Sequence, residues 1–126
     1  MAKRYTLTAA QRLKSKKSID ALFSSGQRLN VGCLRILHAH SSTPGVHFGV
    51  GVSAKNFKRA VDRNRIKRQL RESYRLQKEV LATLATQPKG IDLFVLYTDK
   101  ELPEYQHLFS QLQKGLQKLL SFYQVK

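Results

Sequence analysis

Acidic residues are scarce in this chain, and so are the features that would staple it with disulfides or anchor it in a membrane. Eight Asp and Glu stand against 23 Lys and Arg, giving a net charge of +15 and a pI near 10.4. That imbalance is the electrostatic footprint of a polyanion binder, with nucleic acid first among the partners and a membrane surface behind it. Cys33 is the only cysteine, so no intrachain disulfide is possible and a reducing compartment suits the chain. No stretch approaches the roughly 18 consecutive apolar residues of a spanning helix, so no membrane partner is expected. The opening MAKRYTLTAAQRLKSKK is basic but lacks an apolar core, unlike a secretory signal. A cytoplasmic location is expected.

What the chain does have is enough apolar content, 41% of 126 residues, to bury a core without disulfides or a structural metal. One RNA-binding domain over residues 1–126 is expected, with 1–15 as an irregular N-terminal arm anchored by Tyr5 and Leu7. A first helix is predicted from Lys16 to Ser25, with Ser18 as its cap, Ile19, Leu22 and Phe23 on one face, and Gly26 as its stop. Two strands follow, CLRILHAH (33–40) and VHFGVGVSA (46–54), separated by the turn signal Pro44-Gly45. A helical pattern runs from Arg59 to Leu81, and DLFVLYT (92–98) reads as a strand covered on both sides. Pro103 opens a last helix, Glu104–Phe122, with Leu108, Leu112, Leu116, Leu119 and Leu120 as its core stripe. The fold class expected is α/β, in an α+β sandwich-like arrangement. Its order is α-β-β-α-β-α, with a short extra strand possible near the start, a mixed sheet, and a βαβ crossover carrying the long basic helix.

Between Lys55 and Lys78 lie ten Lys and Arg and only two acids, Asp62 and Glu72. Rotating by about 100° per residue sorts this segment into two faces. Ile66, Leu70, Tyr74 and Leu81 share an arc of roughly 60° and form a packing stripe. Asn64, Arg65, Lys67, Arg68, Arg71, Arg75 and Lys78 fill an opposing arc of roughly 160°. Arg63 falls at the edge of the stripe and should reach beside the sheet. Asn64 lines up with Arg68, Arg71 and Arg75 through i,i+3 and i,i+4 steps, while Arg65 lies on the far shoulder within reach of Glu72. Guanidinium forks take phosphate oxygens two at a time, which Lys does not. A face built only for solubility would mix its signs. No helix-turn-helix, zinc module or zipper is visible, so a folded RNA suits this helix at least as well as DNA.

The run SAKNFKRAVDRNRIKRQLRESYR, with Arg-Asn-Arg in a basic helix after the Gly-rich strand FGVGVSAKN, closely resembles the signature of the bacterial ribonuclease P protein family. RLKSKKSIDALFSSG is similar to that family's basic segment and first helix, CLRILHAH to its next strand, and DLFVLYT with the last helix to its C-terminal half. The resemblance implies a subunit of the endoribonuclease that removes the 5′ leader from precursor tRNA. It also implies that the RNA subunit is the catalyst and binds the Mg²⁺, so no catalytic residue, metal site or organic cofactor is expected in the protein. Its partners would be the catalytic RNA and precursor tRNA, and no obligatory protein partner is evident. Carried over by position, Arg63, Asn64, Arg65, Lys67, Arg68 and Arg71 would meet RNA, with Lys55 on the same basic surface and Arg75 extending the row. The leader would lie in a cleft between the first helix and the sheet. Phe23 matches an aromatic position of that cleft. Ile19 stands at the preceding position, commonly Phe, and supplies an apolar wall but a poorer stacking platform. The residues by themselves leave open a ribosomal or RNA-chaperone-type binding module.

Residues suited to three other chemistries are also present. Asp92, Asp99, Glu101 and Glu104 would have to converge for the protein itself to perform two-metal phosphodiester cleavage; acids at strand ends and helix starts are the simpler reading. His38 and His40 share a strand face, with His47 expected on the adjacent strand, but nothing completes a zinc set; partly exposed histidines are expected. FGVGVS lacks the remaining residues of either phosphate-loop pattern, so Gly49 and Gly51 are read as allowing the long helix or the RNA to approach closely.

Overall fold

The computed structural model describes residues 13, 16–41, 43–82 and 90–124. Tyr5 and Leu7 of the N-terminal arm lie outside the described residues. The elements are α1 (Lys16–Ser25), β1 (Gln27–Val31), β2 (Leu34–Ser41), β3 (Val46–Val52), α2 (Ala60–Gln77), β4 (Gly90–Tyr97) and α3 (Tyr105–Gln124). A 3-10 stretch, Lys78–Leu81, tightens the end of α2 and turns Leu81 into the core. The order is therefore α-β-β-β-α-β-α, with β1 as the added strand near the start. Ser18 lies in the first turn of α1 rather than before it.

The four strands run β1-β2-β4-β3 across the sheet. The β1/β2 and β2/β4 pairs are antiparallel, and β3/β4 is parallel. Parallel neighbours need a long crossover, and α2 is that crossover. β1 joins β2 through the two residues Gly32 and Cys33. Gly32 has φ of +53°, a conformation that costs glycine least, and Cys33 is buried beside the strand start.

Alternation along the strands separates two cores on opposite faces of the sheet. On one face Ile36, Phe48, Val50, Leu93 and Val95 pack against Ile66, Leu70 and Tyr74 of α2 and against Leu108, Leu112, Leu116 and Leu119 of α3. The Phe48 and Tyr74 rings stack with centroids 3.9 Å apart. Burial raises the Tyr74 hydroxyl pKa well above its usual value. On the other face Leu37 and Phe94 pack with Leu22 of α1 and Leu13. β4 is thus covered on both sides, as its almost wholly apolar sequence predicts. Among the described residues no helix is long and apolar enough to cross a membrane.

Candidate nucleic-acid interface

The packing stripe of α2 is buried as its periodicity predicts: Ile66, Leu70 and Tyr74 are all within the core. Its outer face is thereby turned to solvent. Asn64, Arg65, Arg68 and Arg71 are exposed, and Lys67 is half-buried. Arg75 is half-buried too, and its guanidinium grips both oxygens of Glu72, with Nε 3.0 Å from Oε1. The hydrogen bond from Arg75, with its charge, holds the Glu72 carboxyl below the usual carboxylate range. Glu72 therefore serves Arg75 three residues on, not Arg65. That pair removes one cation from the row and leaves Arg65, Arg68 and Arg71 exposed along the helix.

Arg63 is half-buried at the edge of the packing stripe, as its helical phase predicts. Its Nη1 donates to the carbonyls of Phe57 at 2.7 Å and Lys58 at 2.9 Å, in the segment that leads into α2. Asn56 ties the same segment from the other side, donating from Nδ2 to the Thr98 and Asp99 carbonyls at 3.3 and 3.4 Å. Phe57 between them is buried. Lys55, Lys58 and Arg59 thus project from a clamped loop beside the start of the basic helix.

Ile19 and Phe23 lie across the sheet from α2. Ile19 is half-buried against the Leu13, Leu22, Leu37 and Phe94 cluster. Phe23 is 41% exposed, its ring meeting Phe94 edge-on at 5.5 Å. The register places Arg28 beside Leu37 beside Phe94 beside Gly49, and Asn30 beside Arg35 beside Leu96 beside Gly51. Arg28 donates to the Phe23 carbonyl at 3.2 Å, and Arg35 to the Asn30 side chain at 3.3 Å. A Cβ on Gly51 would come within 2.8 Å of the Phe94 ring. The glycines therefore make room for Phe94 on the α1 face, rather than for the long helix on the other. Phe94, Arg28 and Arg35 were missed from sequence. The usable signal was the alternation of DLFVLYT against FGVGV, which puts an aromatic opposite glycines.

The histidines do not assemble. His47 lies on β3, two strands from β2, and on the α1 face, where its Nδ1 is 3.1 Å from the Asp92 carboxylate. His38 is buried, not partly exposed, and is hydrogen-bonded through Nδ1 to the Tyr123 hydroxyl at 2.7 Å. Desolvation lowers the His38 pKa and pushes that of Tyr123 up to about 12. His40 is exposed beside Tyr123. Of the late acids, Asp92 is taken by His47, and the Asp99 carboxylate accepts the Lys100 N–H at 2.8 Å. Among the described residues no three His, Cys, Asp or Glu side chains group as a metal site.

Comparison with known proteins agrees with this arrangement. The family model described as Ribonuclease P matches residues 7–121. A ribonuclease P protein component of Porphyromonas gingivalis is 32% identical over 117 residues, covering 89% of this chain and 85% of that one. One from Nitrosococcus oceani is 35% identical over 94 residues, covering 75% and 73%. Among solved structures, the RNase P protein of Thermotoga maritima superposes with a TM-score of 0.69 at 25% identity, covering 85% of this chain and 96% of that one. The Staphylococcus aureus protein gives 0.69 at 19% identity, over 86% and 94%, a likeness of fold.

Proposed function

Since the chain belongs to the ribonuclease P protein family, the protein subunits of a tRNA-processing endoribonuclease, we propose that it binds the enzyme's RNA through the outer face of α2 and the 5′ leader of precursor tRNA through the cleft of α1. One observation carries the reading. The exposed side of α2 holds Asn64, Arg68 and Arg71 in a row, with Arg65 on its shoulder, and the acid on that face, Glu72, is held by Arg75. Unpaired guanidinium groups on a rigid helix are suited to phosphates. Lys55 and Lys67 extend that field, and Arg75 contributes to it in part.

Phe23, Ile19 and Phe94 offer an apolar floor with an exposed ring edge, and Arg28 and Arg35 border it. Bases of a single strand stack on such a floor while arginines track its phosphates. In this reading the RNA subunit performs the cleavage in the cytoplasm and binds the Mg²⁺. A cationic helix face repels a divalent ion and attracts the phosphates that hold one. By covering phosphates the protein lowers the repulsion between enzyme RNA and substrate, so less Mg²⁺ is needed.

The test is cleavage of precursor tRNA at low Mg²⁺ by a bacterial ribonuclease P RNA, with the protein, without it, and with the protein alone. Activity is expected only when RNA and protein are combined. Tight, salt-dependent RNA binding without stimulation would make the chain a binding module of another machine.

A further inference from the structure

At one corner of the sheet there is a notch that neither the basic helix nor the α1 cleft explains. β1 begins at Gln27, opposite His38, whereas β2 continues to Ser41. Among the described residues, 39–41 therefore have a strand neighbour on the β4 side alone. The end of α1 and the end of α3 close over this open edge from opposite faces. Together they enclose a cleft of about 430 Å³ lined by Ser25, Gln27, Ala39, His40, Phe122 and Tyr123. That volume falls within the roughly 300–1,000 Å³ of small-ligand clefts.

The walls are built for a flat, polar-edged ring. Phe122 is 53% exposed, an unusual position for a phenyl group in water. It is not loose: it packs edge-on to His38 at 5.0 Å and to Tyr123 at 5.0 Å. Tyr123 in turn is fixed by the His38 hydrogen bond and by His40, whose ring lies 5.1 Å away. A stack of interlocked rings thus ends in one exposed phenyl. Around it stand groups that both donate and accept, the Gln27 amide, the His40 imidazole and the open edge of β2, together with the Ser25 hydroxyl, which donates to the Ala21 carbonyl at 3.1 Å and is left as an acceptor. Among the described residues no acidic side chain lines the cleft, and the whole molecule carries +15.

We propose that the notch between the ends of α1 and α3 takes one unpaired nucleobase of bound RNA, stacked on Phe122 and hydrogen-bonded at its edge by Gln27 and His40. The inference rests on the reading of the chain as an RNA binder, and it adds a contact separate from α2 and from the Phe23–Phe94 pair. The base can come from the leader, since Ser25 closes the helix that carries Phe23, or from a flipped-out nucleotide of the RNA subunit.

The experiment compares wild-type protein with Phe122→Ala and Phe122→Trp in the reconstituted holoenzyme. Two affinities are measured: that for precursor tRNAs whose leaders are shortened one nucleotide at a time, and that of the protein for the RNA subunit alone. Phe122→Ala should weaken one of them roughly 5- to 100-fold, the loss expected for one stacked base, and Phe122→Trp should retain it. A loss seen only beyond a certain leader length identifies a leader base; a loss in subunit binding identifies one in the enzyme RNA. An abasic nucleotide at the responsive position should then abolish the difference between wild type and Phe122→Ala. Unchanged affinity in both arms, or a difference that survives the abasic substitution, overturns the proposal. Gln27→Ala, at an exposed side chain, provides the same readout if Phe122→Ala lowers the melting temperature. Arg68→Gln with Arg71→Gln runs alongside: if that pair weakens RNA binding and Phe122→Ala does not, the notch fails alone, and if neither matters the RNA-binding reading fails beneath it.

Discussion

Arg63 holds the Phe57 carbonyl at 2.7 Å, so the guanidinium of the first arginine of the Arg-Asn-Arg core is engaged in part by the protein's own backbone. Arg63→Lys keeps the charge but loses the fork that spans Phe57 and Lys58. It should lower unfolding stability by about 1–3 kcal/mol, as expected when hydrogen bonds from a charged donor are lost. Urea titration measures this. In Arg63→Gln, which removes the charge, the salt dependence of RNA binding should stay as in wild type, because no phosphate contact is removed; a flatter dependence would place Arg63 on the RNA.

Arg68 and Arg71 should behave in the opposite way. Both are exposed on α2, so Arg68→Gln with Arg71→Gln should leave stability within about 0.5 kcal/mol. The slope of log K against log salt should become shallower by about 1.5, if each meets one phosphate. Filter binding at several salt concentrations decides it, and an unchanged slope would put the binding face elsewhere.

Phe23 presents its free edge above Phe94. In the holoenzyme, Phe23→Ala should cost about 1–3 kcal/mol of precursor tRNA affinity and leave mature tRNA, which lacks a leader, unaffected. Equal losses for the two would remove Phe23 from the leader site.

His38 links stability to pH. Its folded pKa is depressed by burial, so just below the unfolded value, about 6.5, the unfolded chain binds the proton and the folded one does not. Stability is therefore complete above that value and falls as pH drops from it through the folded pKa. Melting temperatures across this interval should fall less in His38→Gln than in wild type, beyond what other groups contribute to both.

Asp99→Asn with Glu104→Gln should leave holoenzyme cleavage intact, since the Asp99 carboxylate is engaged with its neighbour's backbone N–H. Loss of activity in a variant with normal melting would revive a protein nuclease.

The two faces of α2 were legible because a 3.6-residue repeat assigns sides without reference to the rest of the chain. The stripe of α3 was legible for the same reason, with Leu108, Leu112, Leu116 and Leu119 all buried. β1 was harder to read: in QRLNV only Leu29 and Val31 point inward, and a two-residue alternation on an edge strand barely rises above loop composition. The partners of Arg63 were invisible, because its acceptors are backbone carbonyls presented only once the 53–59 loop has closed. The floor beneath Phe23 was hidden for a related reason. Phe94 and Gly51 are 43 residues apart in sequence, and only the parallel register of β3 and β4 brings them together.

The position of β4 has a consequence for how the molecule is made. Synthesis delivers β2 and β3 first, yet these two never pair; the strand that joins them arrives only with residues 90–97. Until then a nascent chain carries α2 and its arginines with only the β1/β2 pair able to form, and the edges of β2 and β3 that β4 will join stand open. Such late, non-local closure is slow and exposes edges to misassembly. A ribosome that pauses before β4 would present a sticky, highly cationic fragment, and one that completes β4 would seal both edges in a single step.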